Sequence, residues 1–398
     1  MADTETGRAG FRLRWYPRIL LVTLTVVLVL VTVSGDGSES AGGRLGGDFP
    51  SFYGAGTIVA NGDAPDLYDA ETQIAAQTGL LDEPGDYLYF AYPPFFSYPY
   101  AALSTLGYRT AFLVHTLLMG LALWGAVHLA RPLLPRLLRS SEHEVAAVAV
   151  SLAFYPILRS LLGGQNTTLT LLLLVAVWRL AADGREGAAG LVLALMLYKP
   201  QFGLVYAALF LVARRWRILA WWAGGAVGLY IAAAVLFGAR WVGEWLDQVS
   251  AFGERNLEVN GNLMISAIGF FENVVGSGAV ASTAAAVIVV GVLAFLVPPW
   301  WRSGASANGM ALAASGLVLL APSALYYDAG LVLLSFGVGL AFGYRHAIGF
   351  TVGAFVVSWS QLLASTVGFS PIFFLVIVVF GWVAWNVRRP PEPVGANG

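Results

Sequence analysis

The sequence has no cysteine, four histidines and little charge: Asp, Glu, Lys and Arg make up 11% of its 398 residues, against about a quarter in an ordinary soluble domain. Without cysteine there can be no disulfides, zinc-thiolate sites or iron-sulfur clusters. The net charge of -1, with no dense basic patch interleaved with aromatics, excludes a nucleic-acid partner. The histidines are badly placed for chemistry. His115 and His128 share one apolar segment, but thirteen residues is more than three helical turns of height, too far for a common metal. His143 and His346 stand beside basic turns. No His-x-x-x-His pair, Gly-x-Ser-x-Gly elbow or Walker loop occurs, so zinc hydrolysis, acyl transfer through that elbow and ATP-driven transport all lack their signatures.

What is present is hydrophobic. Apolar residues make up 58% of the chain and the mean hydropathy is +0.72. Apolar runs recur from Ile19–Val33 to Ile372–Trp385, so the expected fold is an all-α integral membrane protein with one polytopic domain over 19–387 and cytoplasmic tails at 1–18 and 388–398. Arg8, Arg12, Arg14 and Arg18 precede the first run, which reads as a retained first helix rather than a cleaved signal. Arginines flanking a span mark its cytoplasmic end, so the segment 34–93 becomes a long outer first loop. Asp36, Glu39, Asp48, Asp63, Asp66, Asp69, Glu71, Asp82, Glu83 and Asp86 face Arg44 alone in that loop. Later basic turns at Arg131–Arg139, Arg179–Arg185, Arg214–Arg217, Arg302, Arg345 and Arg388–Arg389 divide the rest into hairpins whose tips point outward. The length rule gives about 12 crossings. Phe95–Leu106 fits this topology only as a partial helix, because a full span there would invert everything after it.

The outward tips carry the polar residues: "YPP" at Tyr92–Pro94, "GGQN" at Gly163–Asn166, "YKPQ" at Tyr198–Gln201, "EVNGNLMIS" at Glu258–Ser266 and "PSALYYD" at Pro322–Asp328. Broken backbone at membrane depth is tolerated only where protein buries it or a wet cavity lines it, so one shared outward cavity satisfies all the tips at once. Each tip also has a plain structural explanation. Proline opens a helix at no hydrogen-bond cost, glycines turn a hairpin, and Asn166 can cap the helix after it. Asn166-Thr167-Thr168 matches a glycosylation sequon but is crowded at a short tip. Lys199 is harder to dismiss, because an ionisable group between two apolar segments is expensive and marks a pathway or an anion unless it snorkels to the surface. Arg159 lies one turn before "GGQN", on the same side. Two such cations suit a phosphate, and with Asp328 either one makes an ion pair instead.

These stretches, "GGDF" with "ANGDAPDLYD", "YPPFF", "GGQNTTLTLLLL", "LMLYKPQFGLV", "NGNLMISAIGFF" and "ALYYDAGLVLL", occur over Gly46–Leu334 in the order that resembles glycosyltransferase family 87. That family consists of polytopic GT-C enzymes and includes mycobacterial mannosyltransferases of phosphatidylinositol mannoside synthesis. The resemblance implies a GT-C-type helical bundle in the cell (plasma or inner) membrane. Its active site would face outward and move a hexose from a polyprenyl-phosphate sugar to a lipid-linked or envelope glycan acceptor. It implies Asp48 as the general base of an inverting transfer. One carboxylate is enough, because the leaving group is already a phosphate and needs no paired acid. Lys199 would steady that phosphate, joined by Arg159 from its position alone. Tyr92, Gln165, Asn166, Gln201 and Asn262 would hydrogen-bond sugar hydroxyls, with Tyr327 and Asp328 as further donor contacts. Some mannosyltransferase members carry a histidine on the late outer loop, where Pro322–Asp328 has tyrosines. Mannose is thus the first expectation among hexoses, not a fixed one. No cofactor is expected; the scattered outer carboxylates would bind a divalent cation only weakly, and no clustered ligand set is present. The rival reading is a lipid or sugar transporter or flippase, which would use the same intramembrane lysine and broken helices, but no repeat of "GGQN" or "YKPQ" in the second half supports it. A non-catalytic scaffold is the third, and it predicts that the polar tips do not converge.

Overall fold

The computed structural model describes residues 2–34, 45–81 and 87–388. Asp36, Glu39, Arg44, Asp82, Glu83, Asp86, the tail 389–398 and the side chain of Arg8 lie outside the described residues. Among the described residues the regular structure is helical throughout, with one isolated bridge between Met264 and Leu325. The chain is an all-α multi-span membrane protein.

Helix α1 (Ala2–Ser34) runs unbroken through its basic start. Arg12, Arg14 and Arg18 therefore stand on the first turns of a helix rather than on a separate tail, and the stretch able to cross a membrane is Phe11–Leu30. The long first loop is partly helical and packs part of itself into the core. Helix α2 (Phe49–Asn61) buries Phe49, Phe52, Ala55 and Ile58, and α3 (Ala70–Gln77) follows it. The carboxylate of Asp69 caps α3, accepting from the Thr72 amide at 2.9 Å, and these bonds to Thr72 hold Asp69 below the ordinary carboxylate range. Asp63, Asp66 and Asp69 are exposed, as expected of solvated or capping carboxylates. Helix α4 (Tyr98–Ser104) has 7 residues, about 10 Å of rise, so the Phe95–Leu106 segment is a partial helix. It lies against α2, where Gly56 meets the backbone of Tyr100 with no room for a methyl group.

The remaining helices form the membrane body. They are α5 (Tyr108–Ala130), α6 (Ser141–Ser151), α7 (Tyr155–Leu162), α8 (Thr167–Ala182), α9 (Glu186–Leu195), α10 (Pro200–Val212) and α11 (Trp216–Phe237). After these come α12 (Trp241–Asn260), α13 (Ala267–Val275), α14 (Ala279–Ser303), α15 (Ala307–Leu320), α16 (Leu333–Phe342), α17 (Ala347–Ser358), α18 (Ala364–Val367) and α19 (Ile372–Val387). Helix α15 is buried on every side from Gly309 to Leu319, as an all-apolar helix at the centre of a bundle must be. Helices α1, α11, α14 and α17 turn Val, Leu and Trp side chains outward, as Val235 and Val280 do, the face a bilayer would cover. Five helices are long and apolar enough to cross, or six if α6 and α7, bent by 79°, count as one span. Six further apolar segments have 10–17 residues, so about 12 crossings requires every one of them to span. Helix α12 carries Glu244, Asp247, Glu254 and Glu258 and covers the α2–α3 region through Trp245 Nε1, which donates to Ala91 O at 3.3 Å.

The basic turns gather at one end. The Arg18 charge acts on Glu142, Arg131 pairs with Glu144 at 2.9 Å, and Arg215 pairs with Glu186 at 3.4 Å. Arg214 stacks on Trp301 at 3.7 Å and Arg388 on Phe295 at 3.8 Å. The polar tips gather at the other end, where Asp48 N donates to Gly163 O at 3.1 Å and Ile265 N to Ala324 O at 2.9 Å.

Gly56→Ala should therefore lower the thermal stability of the detergent-solubilised protein by about 1–3 kcal/mol, the usual cost of overpacking. Gly120→Ala, whose methyl meets open space, should hold or raise the melting temperature.

Candidate active site

The site begins where two glycine pairs meet. Gly164 adopts φ +66 and ends α7 in a Schellman arrangement: Gly164 N donates to Leu161 O at 3.3 Å and Gln165 N to Ser160 O at 2.7 Å. A methyl group there would sit 2.6 Å from Phe49 Cβ and 2.7 Å from Gly46 O, so the α7–α8 turn can lie against the Gly46-Gly47 turn only as glycine. That contact brings Gln165 to Asp48. Asp48 occupies the N-cap position of α2 with φ -89 and ψ -1, and its side chain makes no capping bond. Its Oδ2 instead accepts a short hydrogen bond from Gln165 Nε2. Phe49, fully buried beside it, packs on Phe112 at 5.6 Å, Tyr108 at 5.5 Å and His115 at 5.1 Å, which fixes the start of α2.

A second polar group lies deeper. Lys199 stands between α9 and α10, with Pro200 at the first position of α10, where proline costs no backbone bond. Lys199 Nζ donates to Asp328 Oδ1 at 2.8 Å, and both residues are only 4% exposed. The lysine does not snorkel. Asp328 sits in a 3-10 helix over Tyr326–Val332 and also accepts from Thr167 Oγ1 at 3.5 Å and from Leu325 N at 3.3 Å. Tyr327 places its ring 5.9 Å from Lys199 Nζ. Beside this pair, the Tyr198 hydroxyl bridges Thr170 Oγ1 at 2.6 Å and Asn166 O at 3.2 Å. Asn166 occupies the N-cap position of α8 without a capping bond. Gln165 Oε1 is buried with no hydrogen-bond partner among the described residues, and Asn166 Nδ2 makes no well-formed hydrogen bond beyond its approach to the Tyr92 phenol.

Arg159 and Tyr92 complete the set. Arg159 Nε donates to the Tyr326 hydroxyl at 3.4 Å, from the last turn of α7. Tyr92 packs on Phe52 at 5.1 Å, Phe96 at 5.2 Å and Tyr198 at 6.3 Å, and its carbonyl accepts from Tyr68 at 2.7 Å. Burial raises the Tyr92 phenol above its ordinary value, so it stays a neutral hydroxyl. The Asp48 charge reaches Tyr327 and, as the weakest of several influences, Arg159, Lys199 and Tyr92. Gln201 and Asn262 are half-buried on α10 and on the turn Gly261–Leu263. Neither makes a side-chain hydrogen bond among the described residues. The Asn262 segment joins the late tip through the Met264–Leu325 bridge.

Four participants escaped the sequence. Thr167 and Thr170, one turn apart on α8, form with Asn166 a polar stripe in an otherwise leucine-rich helix, a spacing that was available to be read. Tyr198 and Tyr326 stand within the "YKPQ" and "PSALYYD" tips, where nothing marks their hydroxyls as partners of Asn166 and Arg159. His115, set aside as a metal ligand, lies against the backbone of Gly164 and Gln165, beneath the residue that holds Asp48. Among the described residues no three His, Asp or Glu side chains converge to hold a metal ion.

The family model for glycosyltransferase family 87 matches residues 90–325. The match takes in Tyr92, Arg159, Gln165, Asn166, Lys199, Gln201 and Asn262; Asp48 precedes it, and Tyr327 and Asp328 follow directly. No curated protein matches the chain.

Lys199→Met alone strands the Asp328 carboxylate in an apolar interior and should cost about 3–5 kcal/mol, whereas Lys199→Met with Asp328→Leu should regain most of that. Denaturation in mixed micelles reads both. A double variant no more stable than the single one would mean that Lys199 and Asp328 are not an energetic unit.

Proposed function

The chain belongs to glycosyltransferase family 87 and is a membrane glycosyltransferase, and from this premise we propose that it transfers a hexose, mannose first, from a polyprenyl-phosphate sugar to a lipid-linked or glycan acceptor. Family membership favours this over a transporter. The transfer takes place on the outer face of the cell membrane, the side opposite the basic turns, and inverts the anomeric carbon. The observation that carries the reading is the Asp48 carboxylate, oriented by Gln165 and unused by its own helix, whose charge reaches Arg159 and Lys199.

Asp48 takes the acceptor hydroxyl's proton as its oxygen attacks the anomeric carbon, and the bond from that carbon to the phosphate oxygen breaks. The leaving polyprenyl phosphate gains negative charge without needing a proton, so fixed cations serve it better than an acid. Asp328 already balances Lys199, so Arg159 does more of this work and Lys199 contributes through the pair. The orphaned acceptor Gln165 Oε1 suits a sugar hydroxyl, since a buried polar atom left unpaired is costly until a ligand pairs it, and Asn166 beside the Tyr92 phenol offers a second donor. Tyr92 offers a neutral hydroxyl and an apolar ring face. Gln201, Asn262, Tyr327 and Asp328 line the rest of the donor pocket. No resident cofactor is needed for these steps.

The test supplies purified protein with radiolabelled polyprenyl-phosphate sugars, one sugar at a time, and a cell-lipid extract. Asp48→Asn should lower transfer by about 10²–10⁴-fold, the range of general-base catalysis, at an unchanged melting temperature. Asn166→Ala should chiefly raise the KM for the donor. Transfer at the parental rate by a folded Asp48→Asn protein would overturn the role of Asp48, and a preference for another sugar would overturn mannose.

A further inference from the structure

Two cavities adjoin at the end of the molecule away from Asp48. Helix α5 begins beside the site, where the Tyr108 hydroxyl donates to Leu45 O at 2.7 Å, and twenty residues later His128 lies about 30 Å further along the axis. There a cavity of about 320 Å³ is lined by His128, Arg131, Pro132, Pro135, Leu138 and Arg139. Its cations are built in place. Glu144, buried on the first turn of α6, accepts from Arg131 at 2.9 Å and meets His128 Nδ1 at 3.2 Å, and Trp124 stacks on the other side of that histidine at 5.4 Å. Arg139 spends its Nε on Arg136 O at 3.0 Å, and its terminal nitrogens have no partner among the described residues.

Leu138 also lines a second cavity, of about 300 Å³. That one is almost wholly apolar, running between α5, α6, α8 and α16 past Ala146, Val175 and Leu340. Val150, at its edge, is exposed on the outer surface of the bundle. A cationic chamber joined through one leucine to an apolar slot has the chemistry of a lipid with an anionic head. We propose that this is a binding site for an anionic phospholipid of the leaflet on the basic side, which the positive-inside rule makes the cytoplasmic leaflet. The phosphate sits between Arg131 and Arg139, whose planar forks match its oxygens, and one acyl chain fills the apolar slot. Basic pockets between helices on that side suit such headgroups. Glu144 holds Arg131 and His128 in place and makes no bond to Arg139, whose charge it leaves unpaired among the described residues. A zwitterionic lipid would bring its own cation into a chamber that already has several.

The full-length protein in detergent is titrated with phosphatidylglycerol, phosphatidylcholine or inorganic phosphate, and bound lipid is counted by native mass spectrometry alongside the melting temperature. Phosphatidylglycerol should bind at least about tenfold more tightly than phosphatidylcholine. Arg131→Gln with Arg139→Gln should abolish that preference. Ala146→Phe, which narrows the apolar slot and leaves the charges, should weaken both lipids and keep the tenfold ratio, so a folding defect in the arginine variant cannot be mistaken for the result. Equal binding of the two lipids, or an intact preference in the arginine variant, would overturn the proposal. Displacement of phosphatidylglycerol by micromolar inorganic phosphate would overturn it in favour of a soluble anion.

Discussion

A charge placed inside a membrane protein needs a partner, and the Lys199–Asp328 pair answers that need for the whole polar end. Lysine at 4% exposure would be intolerable alone, so the start of α10 and the 3-10 helix Tyr326–Val332 are obliged to meet. Thr167 Oγ1 shares the same carboxylate, which draws in α8. Once α8 is placed, Asn166 and Gln165 fall beside Tyr198 and Asp48 respectively. The glycine contact between 46–47 and 163–164 then settles how closely α2 can approach. Membrane depth makes each of these bonds worth having, because no water is there to replace it.

The arrangement separates two kinds of work. Asp48 is held by a neutral amide and sits on a helix whose other residues are packed into aromatics, so its position is set by apolar contacts around Phe49. The cations stand on other segments and are tied to other groups, Lys199 to Asp328 and Arg159 to Tyr326. The proposed base and the cations come from different segments and can be tuned independently, and Gln165 and Asn166 lie where the two meet.

Much of this was legible in the sequence, for a physical reason. In a chain this apolar, every polar residue inside a hydrophobic stretch is costly, so "GGQN", "YKPQ" and "PSALYYD" stood out, and the basic turns sorted their sides. Lys199 was a candidate on that ground and Asp48 through the family resemblance, and the structure joins each to a polar partner. What stayed hidden was pairing across distance. The Asp48–Gln165 contact bridges 117 positions and left no mark in the sequence, whereas the ion pair offered between Asp328 and either cation is made with Lys199, 129 positions away. In the first loop the aspartates sit on exposed turns and a cap, as expected, but that polarity gave no sign that the phenylalanines of α2 are core. His115 was judged only as a metal ligand, whereas its ring is packing material under the site. Gln201 and Asn262, chosen for their place in polar tips, make no bond that ties them in.

The long span between Lys199 and its counter-ion also bears on how the protein is made. A ribosome adds about 5–20 residues per second, so Lys199 is synthesised roughly ten seconds before Asp328 exists. For that interval α9 and α10 cannot settle at their final depth with the lysine buried. The hairpin must wait near the headgroups or inside the insertion machinery until the late 3-10 segment arrives. The polar end of the bundle is therefore completed only once the late 3-10 segment has been made, and Asp48, made before Lys199, waits longer still for its surroundings.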